Sequence, residues 1–195
     1  ITNSIFRFNR VGIMPNSGDY EELSPQHDAV IAGNSIYNNN NVKAPAFASI
    51  AQATGMGIVI AGGENNQVYR NRIWGHDVAG IAVTPNVMGK SFRPIGNRVQ
   101  ENVVSESGRA DLALAPGEAG SNCFTANSFK SSQPASLELF RPCTGTATVT
   151  TEKNSFPLKD ILKQILPQSP HPNTVPDAPK QQQSHSPRPT LPRAR

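Results

Sequence analysis

A chain of 195 residues with 36% hydrophobic content holds one ordinary domain plus an appendage and needs no second core. Formal charge is +4, but Lys180, Arg188, Arg193 and Arg195 against Asp177 put 4 − 1 = 3 of it in the last twenty residues, leaving the body at about +1. The basic residues line no predicted helix and no aromatic stacking platform is apparent, which argues against a nucleic-acid partner; no apolar run reaches the length of a membrane span.

Taken in order, the chain starts at Ile1 with no visible signal peptide. Asn3 lacks the aliphatic residue that stands three places before Asn in the later copies of the pattern it opens. The chain is therefore expected to begin inside a repeat, as a C-terminal fragment of a longer protein. The copies are Asn3, Ile5, Ile13; Asn34, Ile36, Ile58, Ile60; Asn71, Ile73, Ile81, Val83; Asn102, Val104, Leu112, Leu114; and Asn127, Phe129, Leu137, Leu139. The Asn-to-second-aliphatic interval is 13 − 3 = 81 − 71 = 112 − 102 = 137 − 127 = 10, and 58 − 34 = 24 carries an insertion of 14.

Alternation of β-branched residues with small or polar ones predicts short strands and turns. The copies are 31, 37, 31 and 25 residues apart (34 − 3, 71 − 34, 102 − 71, 127 − 102), too irregular for a helical solenoid and suited to a parallel β-solenoid with loops of unequal length. Ile5, Ile36, Ile73, Val104 and Phe129 would stack as one interior column, and Ile13, Ile58, Ile81, Leu112 and Leu137 as another. The asparagines would occupy left-handed corner positions and bond amide to amide between coils. Gly12, Gly57 and Gly80 would serve tight turns.

Two connections are long, with 31 − 15 − 1 = 15 residues between Pro15 and Ile31 and 99 − 83 − 1 = 15 between Val83 and Val99. The turn between Ile60 and Val68 has only 68 − 60 − 1 = 7. Long loops flanking that turn would leave a notch floored by Gly62, Gly63, Glu64, Asn65 and Asn66. Cys123 and Cys143 have no metal-site spacing; a bridge between them spans 143 − 123 = 20 residues and suits an oxidising compartment, two buried thiols being the alternative. Three regions follow: a solenoid over 1–149, a C-terminal strand and helix cap over 150–166 in which Pro157 to Leu166 is amphipathic, and a Pro-rich disordered tail over 167–195.

The recurring Val-x-x-Asn-x-Ile followed by Gly-Ile-x-Val resembles the right-handed parallel β-helix repeat proteins, the pectin-lyase-like superfamily with its NosD-like and alginate-epimerase-like members, over roughly Ile1 to Val149. The stretch Ser121 to Phe129, with Cys143 downstream, is similar to the last coil of secreted bacterial members. The resemblance implies an all-β fold, a right-handed parallel β-helix of about five coils with a short C-terminal helix, and a secreted, periplasmic or cell-surface location. It leaves activity open, because the superfamily holds lyases, hydrolases, epimerases and non-catalytic members.

Enzymes acting on acidic sugars in this fold need a group to neutralise the uronate and a base to take the C5 proton. Candidate bases are His27, His76 and Lys90. Pro25-Gln26-His27-Asp28 is similar to the Asp-Pro-His-Asp motif of mannuronan epimerases, with Pro25 and Gln26 departing from its order. Gly75-His76-Asp77 lacks the second glycine of a polygalacturonase Gly-His-Gly segment. Asp19, Glu21, Glu22, Asp28 and Glu64 are oxygen donors suited to Ca²⁺. Arg70, Arg72 and Arg98, with Glu64, Asn65 and Asn66, are the candidate ligand-binding residues, the arginines pairing either with a polymer's carboxylates or with Glu64, Glu101 and Glu106. The leading expectation is a secreted or surface-associated module binding polysaccharide, acidic in character. The alternatives are a lyase or C5-epimerase acting through His27 or His76, and a purely structural spacer.

Overall fold

The computed structural model describes residues 1–18, 22–46, 48–86, 90–116 and 121–157, the side chains of 48 and 49 excepted. A first circuit of the chain forms β1 (Ile5–Arg7), β2 (Val11–Ile13) and β3 (Val30–Ala32). A second forms β4 (Ser35–Tyr37), helix α1 (Ala48–Gln52), β5 (Met56–Ala61) and β6 (Gln67–Tyr69). A third forms β7 (Arg72–His76), β8 (Ala79–Thr84) and β9 (Arg98–Gln100), and a fourth β10 (Val103–Ser107), β11 (Ala110–Leu114) and β12 (Cys123–Thr125). β13 (Ser132–Gln133) and α2 (Leu137–Phe140) follow.

The strands make three sheets, ordered β1-β4-β7-β10, β2-β5-β8-β11-β13 and β3-β6-β9-β12, and every pairing between them is parallel. The chain is therefore mostly β, with parallel sheets and two short helices among the described residues. It visits the first, second and third sheet in turn, and each visit lands beside the previous one.

The strands of the four circuits send an apolar residue inward. Ile36, Ile73 and Val104 come from the first sheet, Ile58, Ile81 and Leu112 from the second, and Ile31, Val68, Val99 and Phe124 from the third. Burying each contributes about 1.5–3 kcal/mol, so the stack of like residues is the main source of stability. Two expected columns need correcting at their ends. Phe6, not Ile5, stands opposite Ile36, and Ile5 is 67% exposed, because Ser4 occupies the position that asparagine holds in later circuits. Ser132, not Leu137, stands opposite Leu112; Leu137 instead enters α2 and closes the core with Phe140.

The corners repeat one conformation. The residue before each ladder position, and not the ladder asparagine itself, has positive φ: Asn3, Gly33, Arg70, Glu101 and Ala126 at one corner, Asp28, Asn65 and Gly96 at another, and Phe8, Asn38, Gly75 and Glu106 at the third. A left-handed residue reverses the chain and aims the next side chain inward, where an amide can satisfy the turn. Asn34 donates its backbone and side-chain N–H to Asn71 Oδ1 at 3.0 and 2.9 Å, Asn71 does the same to Asn102, and Asn102 to Asn127. A second ladder joins Asn66, Asn97 and Asn122 with the same pair of bonds.

Gly12, Gly57 and Gly80 form a column whose φ values are ordinary. Glycine is required there for space: a Cβ would lie 2.3 Å from Gly57 O, 2.5 Å from Gly80 O and 2.2 Å from Val104 Cγ1 respectively. The outer face of the second sheet is also apolar. Met56, Val59, Ala79, Ala82, Ala110 and Ala113 cluster with Ala53, from before β5, and Phe156, from after α2, so the chain's own residues cover it. Cys123 and Cys143 are disulfide-bonded, with Cα atoms 4.8 Å apart, and tie β12 to the segment after α2. Thr144 to Thr151 form no strand. Of the expected helix from Pro157 to Leu166 only Pro157 is described; its remainder and the Pro-rich tail lie outside the described residues.

Candidate functional site: an aromatic and arginine face

Because Phe6, Ile36, Ile73 and Val104 point inward, their neighbours in the first sheet point outward. The register aligns Ile5, Ser35, Arg72 and Val103 in one outer column and Arg7, Tyr37, Trp74 and Ser105 in another. Parallel register brings Tyr37 and Trp74 face to face, with ring centroids 4.3 Å apart and planes inclined by 12°. Phe8 meets Tyr37 edge-on at 6.1 Å. The Arg7 guanidinium lies 5.4 Å from the Phe8 ring centre and donates from Nη1 to the Tyr37 hydroxyl at 3.3 Å. Arg72 stands 5.5 Å from the Trp74 ring centre. The aromatic run ends at Ser105, a small residue.

Phe8 is the informative member. It is 57% exposed and holds φ 58°, a conformation that costs a bulky side chain on the order of 1–3 kcal/mol. The left-handed backbone turns the corner, as at Asn38 and Gly75, but that turn does not call for an exposed phenylalanine. Its solvent-facing ring stands beside a stacked aromatic pair and two guanidiniums. Contrary to the expectation from sequence, Phe8, Tyr37 and Trp74 thus form an aromatic platform. Tyr37 and Trp74 each follow a ladder asparagine by three (37 − 34 = 74 − 71 = 3), which was the available clue.

The sequence-derived candidates scatter over other parts of the molecule. Arg72 belongs to the aromatic face. Arg70 sits at the corner, exposed, with Nε 2.6 Å from Glu101 Oε2; that hydrogen bond, with the charge of Glu101, raises its pKa. Arg98 lies on the third sheet, in register with Gln67 and Cys123. Asn66 is buried and belongs to the second ladder, and Asn65 is the left-handed residue before it. The position one circuit earlier holds Ala29, and Gln26 reaches in to replace the missing amide, bonding Asn66 at 2.8 and 3.1 Å.

The glycines of the expected notch floor are covered, while Glu64 is half-buried and Asn65 exposed. Gly62 and Gly63 are buried, Ser17 Oγ donates to Gly62 O at 2.7 Å, and a Cβ on Gly62 would lie 2.6 Å from Phe92. Asn86 Nδ2 donates to Asn16 Oδ1 at 2.9 Å, joining the two long loops above the turn. Loops of that length satisfy their polar groups by folding onto the nearest backbone, which here is the short turn.

His76 is 1% exposed, so it is neither a surface turn residue nor open to a substrate in this structure. It occupies a ladder position at the third corner: Asn39 Oδ1 accepts from Asn9 N at 3.1 Å, and Asn39 Nδ2 meets His76 Nε2 at 3.3 Å. An amide nitrogen can only donate, so Nε2 accepts and the neutral ring carries its proton on Nδ1. Burial pushes its pKa down to about 4. His27 differs. Left-handed Asp28 turns its carboxylate onto its own neighbour, with Oδ2 2.7 Å from His27 Nδ1, both side chains exposed, and the backbone of Glu64 in the next circuit bridges that of His27. Lys90 stands 5.4 Å from the Phe92 ring centre. Of the proposed Ca²⁺ donors, Asp19 and Glu21 lie outside the described residues and Glu22 is exposed; no group of three or more His, Cys, Asp or Glu suited to a metal ion occurs among the described residues.

No family model, curated protein or solved structure matches this chain. Among the described residues no helix is long and apolar enough to cross a membrane.

Proposed function

We propose that the chain is a right-handed parallel β-helix module of the pectin-lyase-like kind that binds polysaccharide, acidic in character, on the face formed by Arg7, Phe8, Tyr37, Arg72 and Trp74. The strand–crossover–parallel-strand geometry favours the right hand strongly. The carrying observation is the exposed aromatic run flanked by two guanidiniums. A pyranose presents a face of C–H bonds that packs on an aromatic ring, and beyond Trp74 the small Ser105 leaves room for such a ring. Arginine supplies the fork that a carboxylate accepts. The disulfide supports a secreted, periplasmic or cell-surface location. The test is calorimetric titration with uronate-containing oligosaccharides. Binding should weaken about tenfold or more in Trp74→Ala and in Arg72→Ala; unchanged affinity in both would refute the assignment of this face.

A second reading, a lyase or C5-epimerase, is favoured by one contact. Asp28 holds the Nδ1 side of His27, leaving Nε2 as the nitrogen able to take a proton. Incubation with alginate and pectin, followed by absorbance of unsaturated product and by NMR, decides it: the reading stands if His27→Ala abolishes a signal that the native chain gives.

A further inference from the structure

We infer that the ligand of the aromatic face is a glycan in which an anionic sugar alternates with a neutral one, running across the circuits. This rests on the glycan-binding reading above and adds the pattern of charge. Each circuit contributes one row to the face. The first row carries Arg7 with Ile5, and the second carries Ser35 and Tyr37, without charge. The third carries Arg72 with Trp74, and Arg70 begins it at the corner. The fourth carries Val103 and Ser105, without charge, but is bounded by Glu101 at one corner and Glu106 at the other. In the fifth, Ser128 continues the sheet opposite Val103, and Lys130, two residues on, is exposed. The next charged residues along the chain in these circuits, Arg10, Lys43, Asp77 and Arg109, lie beyond the strands of the first sheet.

Cationic rows thus stand at the first, third and fifth circuits, with an uncharged row and an acid-bounded row between them. Parallel strands are about 4.8 Å apart, so the cationic rows repeat at about 10 Å, roughly the span of two sugar units in an extended glycan. A carboxylate on every sugar would set one on the fourth row beside Glu106, whose like charge repels it, Glu101 being paired with Arg70. A neutral sugar there meets the Glu106 carboxylate, which accepts hydrogen bonds from its hydroxyls, and it extends the stack on Trp74.

The experiment compares calorimetric dissociation constants of the whole chain for three oligosaccharides of equal length: a hyaluronan fragment, in which uronate alternates with a neutral sugar, an oligogalacturonate, and a neutral cello-oligosaccharide. The hyaluronan fragment should bind at least about fivefold more tightly than the oligogalacturonate, the gap an exposed like-charge contact produces. Glu106→Gln should narrow that gap by improving only the oligogalacturonate. Equal or tighter binding of the oligogalacturonate overturns the alternation and leaves the glycan face standing if Trp74→Ala still weakens binding. Absence of binding to all three overturns both.

Discussion

Glu138 ends the longest amide ladder: its Oε1 accepts the Asn127 backbone N–H at 2.8 Å and the Asn127 side-chain N–H at 2.7 Å. The helix that closes the apolar core with Leu137 and Phe140 therefore also supplies the acceptor that a following circuit would have supplied. Glu138→Ala should lower unfolding free energy by about 2 kcal/mol, and Asn102→Ala, inside the ladder, by about 3 kcal/mol, since buried N–H donors are left without partners. Urea titration of both variants checks the order; a larger loss at Glu138 would contradict it.

His76 should make the protein acid-sensitive. Its folded pKa of about 4 lies below the ordinary 6.5, so the unfolded chain binds the extra proton first as pH falls. Its stabilising contribution is complete above pH 6.5, declines between 6.5 and about 4, and is gone below that, a change of about 3 kcal/mol in all. Asparagine fills the neighbouring position in the same column at Asn39. His76→Asn should therefore fold and should flatten the melting temperature against pH across that window, as calorimetric scans would show.

Phe8 separates stability from binding. Asparagine tolerates positive φ better than phenylalanine, so Phe8→Asn should raise unfolding free energy by about 1 kcal/mol while weakening oligosaccharide binding. A variant that is both less stable and equally tight in binding would show that the ring serves the fold.

Removing the disulfide with Cys123→Ser and Cys143→Ser should cost about 3 kcal/mol, the chain-entropy value for a loop of this size. Loss of protection in amide hydrogen exchange should concentrate at β12 and α2, and β5 to β8 should keep theirs.

The parallel strands and much of the interior were readable because one side chain per strand must be apolar and its spacing from the ladder asparagine is constant. Ile36, Ile73 and Val104, and Ile58, Ile81 and Leu112, stack as that spacing requires. The second ladder was equally readable, since Asn66, Asn97 and Asn122 each precede a member of the first by five (71 − 66 = 102 − 97 = 127 − 122 = 5). The ends were not, because a terminal circuit breaks the period: Ser4 stands in for asparagine and α2 replaces a strand. The covering of Gly62 and Gly63 was hidden for another reason. Loop length says how far Asn16 and Asn86 can travel, and only the fold says that they meet. The candidate site was legible solely in Arg72; its aromatic partners keep the repeat's spacing, but residues on the outer face carry no obligation to be apolar and so escape a search for core.

Past the paired Tyr37 and Trp74, the third corner takes only Gly75 to Val78 before Ala79, whereas residues 38–55, helix α1 included, precede Met56, the partner of Ala79. Yet β5 and β8 pair in unbroken register, Ile58 against Ile81 and Ile60 against Val83. That corner behaves as an insertion port. Foreign sequence placed between Asp77 and Val78 should be displayed from the scaffold without shifting a single rung beneath it.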